Sequence, residues 1–158
     1  MFQPEADMAG LDRLAHIAAI FSEPAVFHRL FEYATNNWQP YDGCQYATIS
    51  GTPIAESVFG RPLPSDIEVE LVKVMGEFSP HIHQNSDVVA VARGVFRDEA
   101  EAWFTLDEDW ESLHEGQVIV IPRGTPHGFR IDPTSKEHYC LITVSNPPLA
   151  DDDTHEYK

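Results

Sequence analysis

Residues 76–94, GEFSPHIHQNSDVVAVARG, carry most of the information about the fold of this chain. His81 and His83 lie two positions apart in a run typical of a β-strand, so both imidazoles are expected on one face, about 7 Å apart along the strand. Two imidazoles at that separation can share one metal ion. Residues 88–92 are apolar without alternation, which predicts a second strand covered on both faces. The stretch therefore predicts two strands that meet at a short turn, with Asp87 beside the histidines.

A second informative stretch is residues 116–131, GQVIVIPRGTPHGFRI. The turn 122–126 ends one short apolar run, and His127 opens the next. This turn is expected to bring His127 to the same end of a β-barrel as His81 and His83. Short runs rich in Val, Ile, Phe and Tyr, separated by Pro and Gly, are typical of a sandwich or barrel. The predicted strands are 46–50, 54–59, 67–75, 77–83, 87–93, 101–106, 117–121, 127–131 and 138–144.

The spacing of these residues resembles the two motifs of the cupin superfamily. The first motif has a glycine, His-x-His, an acidic residue that is usually Glu, and a closing glycine; the second has a glycine, a Pro-x-Gly turn and a third histidine. The matching residues here are Gly76, His81, His83, Asp87 and Gly94, then Gly116, Pro122, Gly124 and His127. This chain has one residue fewer than usual before the first histidine, Asp87 where Glu is usual, and Ile131 where an asparagine often closes the second motif. The resemblance covers residues 67–144 and implies a mainly β protein, a jelly-roll barrel of the double-stranded β-helix type.

The same resemblance implies a metal centre with His81, His83, Asp87 and His127 as ligands. Three imidazoles and a carboxylate suit Fe(II), Mn(II), Ni(II), Cu(II) or Zn(II), and we expect one divalent ion per chain, with Fe(II) favoured. Four protein ligands leave one or two positions open on an octahedral ion, which is typical of a catalytic metal. Asp87 is shorter than Glu and could instead orient a histidine or cap the turn, leaving a three-histidine site. A barrel that has lost its metal is the remaining alternative.

The composition limits the location and the partners of the chain. Its 158 residues are 42% hydrophobic and match the length of one domain. Ten basic and 26 acidic residues give a net charge of −16, which disfavours nucleic acid and anionic membrane as partners. No run of about 18 apolar residues is present, and the start is acidic where a secretory signal is basic, so we expect a cytoplasmic protein. Cys44 and Cys140 are expected to be reduced and buried.

Three segments are predicted along the chain: a helical segment 1–40, a barrel 41–148 and an acidic disordered tail 149–158. Apolar residues recur twice at helical spacing before residue 40, and Ser22 is predicted to cap the second helix, with Pro24 in its first turn. The two apolar faces comprise Leu11, Leu14, Ile17, Ala18 and Phe21, then Val26, Phe27, Leu30, Phe31 and Ala34. Both faces need cover, so we expect the helices to pack on the barrel and the remaining surface to close a twofold homodimer.

Alternation along the strands predicts the surroundings of the metal. Phe129 and Ile131 share the face of the third histidine, and Ser79 shares that of the first two. The floor of the binding pocket is therefore expected to be largely apolar.

Three side chains near the site are candidates for catalysis. Arg123, in the turn beside the site, could bind a carboxylate substrate, and His138 or Tyr139, at the start of the last strand, could assist proton transfer. The leading hypothesis is an Fe(II)-dependent oxygenase acting on a small organic molecule. A metal-dependent isomerase or lyase and a non-catalytic small-molecule-binding protein are the alternatives, because one fold supports all three.

Overall fold

The computed structural model describes residues 8–41, 43–94, 102–107, 109–132 and 138–156. In chain order the elements are α1 (Met8–Phe21), α2 (Pro24–Ala34), β1 (Gln39–Tyr41), β2 (Cys44–Thr48), α3 (Pro53–Phe59), β3 (Glu68–Val74), β4 (Glu77–Ile82), β5 (Asp87–Arg93), β6 (Ala102–Leu106), β7 (Trp110–Ser112), β8 (Val118–Ile121), β9 (His127–Ile131), β10 (Tyr139–Asn146), a 3₁₀ turn (Asp151–Asp153) and β11 (His155–Glu156).

The strands form two antiparallel sheets that pack face to face around an inner apolar core. Sheet A has the strand order β1-β2-β3-β10-β5-β8, and sheet B has the order β11-β4-β9-β6-β7. Buried side chains from both sheets meet in the inner core, among them Val72, Val74, Val88, Ala90, Phe104, Phe129, Tyr139 and Leu141. The prediction of a mainly β protein with a jelly-roll barrel is confirmed.

The helices cover the outer face of sheet A and form a second apolar core with it. Helix α1 packs against β5 and β10. Phe21 and Leu30 are completely buried there, and burial of each such side chain stabilises the fold by roughly 1.5–3 kcal/mol. None of the helices in the described ranges is long and apolar enough to cross a bilayer.

Strand β5 explains why residues 88–92 are apolar throughout. Val89 and Val91 belong to the outer core under the helices, whereas Val88 and Ala90 belong to the inner core between the sheets. Both faces are thus covered within one chain. The homodimer stays a prediction.

Two local predictions need correction at helix starts. The N-cap of α2 is Glu23, whose Oε2 accepts a hydrogen bond from the Val26 amide at 3.2 Å, and not Ser22. The predicted strand 54–59 is wrong, because these residues form α3. Thr52 caps this helix with its side chain, and Gly60 ends it at a φ of 85°. A short apolar run does not by itself distinguish a strand from a helix, and here the caps decide.

The other eight predicted strands correspond to β2–β6 and β8–β10, while the very short β1, β7 and β11 were not predicted. Residues 149–156 are not the predicted disordered tail. They form the 3₁₀ turn and β11, which pairs with the edge of β4. Asp153 in this segment is only 1% exposed, so an acidic composition here does not mean a solvated chain.

Candidate metal centre

Three histidines of sheet B meet at one wall of the barrel interior. His81 lies in β4, His83 follows the end of that strand, and His127 is the first residue of β9. His81 and His127 are directly opposed in the β4–β9 register. The ring centroids lie 4.2 Å apart for His81 and His127, and 4.8 and 5.0 Å from each of these to His83. The potential ligand atoms of all three are within 4.8 Å of one another, so the structure brings together the three histidines that the sequence grouped.

A β-bulge in β4 determines which side chains face the interior. The pairing with β9 shifts between Phe78 and His81, so these residues, three positions apart, both line the same cavity. Their rings stack at 4.4 Å. The prediction that Ser79 shares the histidine face assumed a regular strand and needs correction. Its carbonyl oxygen instead accepts a hydrogen bond from His81 Nδ1 at 2.8 Å.

Each of the three imidazoles has its Nδ1 against a backbone carbonyl oxygen. The distances are 2.8 Å from His81 to Ser79, 3.2 Å from His83 to Asp153, and 3.0 Å from His127 to Thr125. A carbonyl oxygen only accepts, so Nδ1 carries the proton of each neutral ring, and the lone pair lies on Nε2. Three Nε2 lone pairs in one buried group fit a bound transition-metal ion.

Burial keeps these imidazoles neutral, which is the form that binds metal. It lowers the pKa of His81 to about 4 and also lowers the pKa of His83. The pKa of His127 lies well below its usual value, first because of burial and then because of the neighbouring His81. Among the described residues, the group contains no carboxylate or thiolate. Such a nitrogen set fits Fe(II), Mn(II), Ni(II), Cu(II) or Zn(II).

The lowered histidine pKa values predict that the metal-free protein is sensitive to acid. In the unfolded chain a histidine takes up a proton near pH 6.5, but in the folded protein His81 does so only near pH 4. Acid therefore favours the unfolded chain: the free energy of unfolding is at its full value above pH 6.5 and falls as the pH is lowered. For His81 alone the loss at pH 4 is about 3 kcal/mol. Urea unfolding at pH 7, 6, 5 and 4 measures the loss.

His81→Gln and the exposed His16→Gln are the variants that test this linkage. The His81→Gln protein is expected to lose less stability between pH 7 and pH 5 than wild type, and His16→Gln to follow wild type. Equal pH dependence in all three proteins would contradict the assignment to His81.

Asp87 is not part of the histidine group, which corrects its prediction as a ligand. Alternation along β5 places it on the outward face with Val89, whereas Val88 lines the cavity. The side chain of Asp87 is 9% exposed. It accepts hydrogen bonds from the Arg123 amide at 2.8 Å, from Nε at 3.3 Å and from a terminal guanidinium nitrogen at 3.0 Å. Asp87 thus fastens the turn that precedes His127.

Asp87→Asn is therefore expected to affect stability more than metal binding. The neutral amide loses charge-assisted hydrogen bonds to Arg123, which should lower the free energy of unfolding by roughly 1–3 kcal/mol. Metal affinity, measured by chelator competition, should change less than about 10-fold. Asp66→Asn, which weakens the exposed pair with Arg13, should leave the stability close to that of wild type, because solvent screens such a pair. Loss of metal from Asp87→Asn with unchanged stability would make Asp87 a ligand after all.

The three candidate catalytic residues do not line the cavity. Arg123 is paired as described. The ring of His138 stacks on Phe31 of α2 at 6.0 Å. Tyr139 is completely buried in the inner core, where burial raises its pKa far above the usual value, and its hydroxyl donates to the Trp103 carbonyl at 3.5 Å. None of the three is placed to touch a molecule bound in this cavity.

A cavity of about 330 Å³ lies between the sheets, with the three histidines in its wall. This volume suits a small organic molecule. Of the predicted floor residues, Phe129 lines the cavity, whereas Ile131 is packed in the inner core. A larger and more open groove of about 1090 Å³ lies beside α3 and contains none of the three histidines.

The polar side chains of the opposite cavity wall were not predicted from the sequence. Glu70 of β3 and Thr143 of β10 are opposed in register and both line the cavity on sheet A. Glu68 and Glu70 alternate with Val69 and Leu71 along β3, a pattern typical of a half-buried strand. Val72 follows Glu70 on the same face of β3 and is buried in the inner core. This apolar residue was the sequence signal that the face carrying Glu70 points into the barrel.

The face-to-face sheets and the three-histidine cluster together define a protein of the cupin fold with the residues to bind a metal ion. No protein-family model matches the sequence, and no curated protein matches it either. Among solved structures, the chain is similar to KdgF from Halomonas sp., with 23% identity and a TM-score of 0.53 over 74% of this chain and 90% of that one.

Two further solved structures have the same fold. Pac13 from Streptomyces, described as a nucleoside dehydratase, is 14% identical with a TM-score of 0.54, over 77% of this chain and 84% of Pac13. The cupin domain of Cnp3 from Schizosaccharomyces pombe is 13% identical with a TM-score of 0.52, over 73% of this chain and 72% of that one. At these identities the likeness establishes the cupin fold, and the function must be argued from the site.

Proposed function

We propose that the protein is a mononuclear metal-dependent enzyme, an Fe(II) oxygenase that acts on a small organic molecule in the cavity between the sheets. The observation that carries the proposal is the convergence of three buried, neutral imidazoles, each presenting Nε2, on the wall of that cavity. Fe(II) bound there would supply the one-electron chemistry with dioxygen that side chains lack. Three protein ligands leave positions for other molecules.

The residues around the cluster favour a site from which water is excluded. Phe78 stacks on His81 at 4.4 Å, and Phe129 meets His127 edge-on at 6.5 Å. Val72 and Leu141 add apolar surface from sheet A. A cavity of this kind protects a reactive intermediate from side reactions with water.

The charges in the cavity favour a neutral or cationic substrate. No lysine or arginine is present among the described residues that line it, and Glu70 supplies a carboxylate. Apart from the bound metal ion, a substrate carboxylate or phosphate would find no cationic side chain among the described residues that line the cavity, and the net charge of −16 also disfavours anions. Glu70 and Thr143 can instead bind a hydroxyl or amino group of the substrate while its other end lies toward the histidines.

Nitric oxide, a surrogate for dioxygen, tests the oxygenase proposal. Protein loaded anaerobically with Fe(II) is exposed to nitric oxide and examined by electron paramagnetic resonance. We expect an iron-nitrosyl signal in the wild type and none in His83→Ala treated identically. A fully iron-loaded wild type without this signal would contradict an oxygenase. Oxygen uptake is then measured with small thiols, diketones and catechols, and with carboxylated analogues, which should be poorer substrates.

A non-redox lyase is the second candidate, and Glu70 is the observation that favours it. A carboxylate on sheet A, facing the histidines of sheet B, is placed to move a proton on a substrate polarised by a divalent ion. Pac13, a nucleoside dehydratase, has the same fold. A product that forms without dioxygen in Zn(II)-loaded protein, and not in Glu70→Gln, would favour this candidate over the oxygenase.

A further inference from the structure

We infer that Asp153 is a positioning residue for the metal centre, acting through residues 149–156, here called the C-terminal strap. The inference rests on the proposed metal binding and adds a dependence of the centre on a segment outside both histidine motifs. Asp153 touches neither the cavity nor the ligand atoms of the cluster. Its role is to hold His83 and the turn that follows it.

Asp153 binds this region through its side chain and its main chain together. Its Oδ1 accepts a hydrogen bond from the Gln84 amide at 3.0 Å, and its Oδ2 accepts one from the Asn85 amide at 3.0 Å. The carbonyl oxygen of the same residue accepts from His83 Nδ1 at 3.2 Å. A carboxylate that is 1% exposed and accepts two amide hydrogens is held firmly. The turn and the imidazole ring are therefore fixed to one residue.

His83 differs in this respect from the other two histidines. His81 and His127 each bond a carbonyl two residues earlier in their own strand or turn, so local backbone geometry orients them. His83 bonds a carbonyl 70 residues away in sequence. Its Nδ1–H state and its ring orientation consequently depend on the docking of the strap, and a lost partner of this kind typically weakens metal binding about 10 to 100-fold.

The strap is anchored at both ends and covers one side of the cavity. The Leu149 amide donates to Glu68 Oε1 at 3.1 Å on sheet A. At the other end β11 pairs with β4, with Glu156 opposite His81. Between these anchors, Leu149, Ala150 and Thr154 line the cavity. The strap thus joins the two sheets at the side of the barrel where the histidines lie.

Asp153→Ala and Asp153→Asn test the inference, with Asp152→Asn as the charge-matched control because Asp152 is exposed. Co(II) alone is the probe, since its absorption spectrum reports ligand number and geometry. Asp153→Ala is expected to bind Co(II) about 10 to 100-fold more weakly with an altered spectrum. Asp153→Asn, which keeps one side-chain acceptor, should fall between Asp153→Ala and wild type. Asp152→Asn should match wild type in both affinity and spectrum.

Amide hydrogen exchange tests the contact of Asp153 with the turn independently of metal binding. In metal-free Asp153→Ala, exchange at Gln84 and Asn85 should be at least about 10-fold faster than in wild type, because both amides lose their acceptor. If Asp153→Ala does not fold, the same comparison is made with Asp153→Asn. Co(II) binding within twofold of wild type, with an unchanged spectrum, would overturn the inference. Wild-type protein that fails to bind Co(II) would overturn the proposed metal binding instead, while the exchange rates would still decide whether Asp153 holds the turn.

Discussion

Replacement of His83 by alanine is expected to weaken divalent metal binding more than about 100-fold, beyond the range that loss of an orienting partner produces. The variant removes one of three neutral nitrogen ligands, and the described residues offer no carboxylate or thiolate in the group to replace it. Metal content after purification and chelator competition measure the change. The metal-free variant should also be less stable than wild type, by about 1–3 kcal/mol, because the carbonyl oxygen of the buried Asp153 loses its hydrogen bond from His83 Nδ1.

His114→Ala is the matched control, since this histidine is exposed and lies outside the cluster. It should retain the metal affinity of the wild type. Full occupancy in His83→Ala would remove His83 from the site and would also remove the basis for a role of Asp153.

Gly43→Ala is expected to produce the largest loss of stability, about 4 kcal/mol or more. Gly43 has a φ of 75°, and an added Cβ would collide with the backbone carbonyl of Glu77 in β4. Its own carbonyl accepts hydrogen bonds from the Met75 and Gly76 amides, both at 3.1 Å. The turn between β1 and β2 therefore lies in direct contact with the start of β4. Neither backbone can move away without breaking the hydrogen bonds from Met75 and Gly76 to Gly43.

Gly51→Ala separates the two causes of the expected loss at Gly43, which are the left-handed backbone and the collision of Cβ with β4. Gly51 has a similar φ of 82°, but a Cβ there would meet nothing within 4 Å. Only the left-handed backbone is penalised, so about 1–2 kcal/mol is expected by urea unfolding. Equal losses in both variants would show that close approach to β4 is not what requires glycine at Gly43.

The three histidines could be grouped from sequence because their signals are local. One signal is a His-x-His pair in a strand, and the other is a proline-glycine turn before a third histidine. Both can be recognised without knowing which face of the sheet lies inside the barrel. The bulge between Phe78 and His81 could not be read in this way, and it moved Ser79 off the predicted face. Periodicity assigns residues to faces only where a strand is regular.

Asp87 shows a second limit of the sequence. Alternation places it on the face of Val89, but both faces of β5 are apolar, so the pattern does not say which one borders the cavity. Only the packing of α1 on β5 makes that face the outer one. Asp153 and Glu70 were not predicted for a related reason: acidic residues are usually exposed. The burial of Asp153 and the position of Glu70 at the cavity wall depend on contacts distant in sequence.

A long-range ¹H–¹⁵N correlation spectrum of the imidazoles, recorded with and without one equivalent of Zn(II), tests the central claim most directly. We predict that Zn(II) shifts Nε2 of His81, His83 and His127, that Nδ1 of each keeps its proton, and that the other five of the eight histidines are unchanged. Coordination through Nδ1, shifts at other histidines, or an unchanged spectrum at saturating Zn(II) would contradict it.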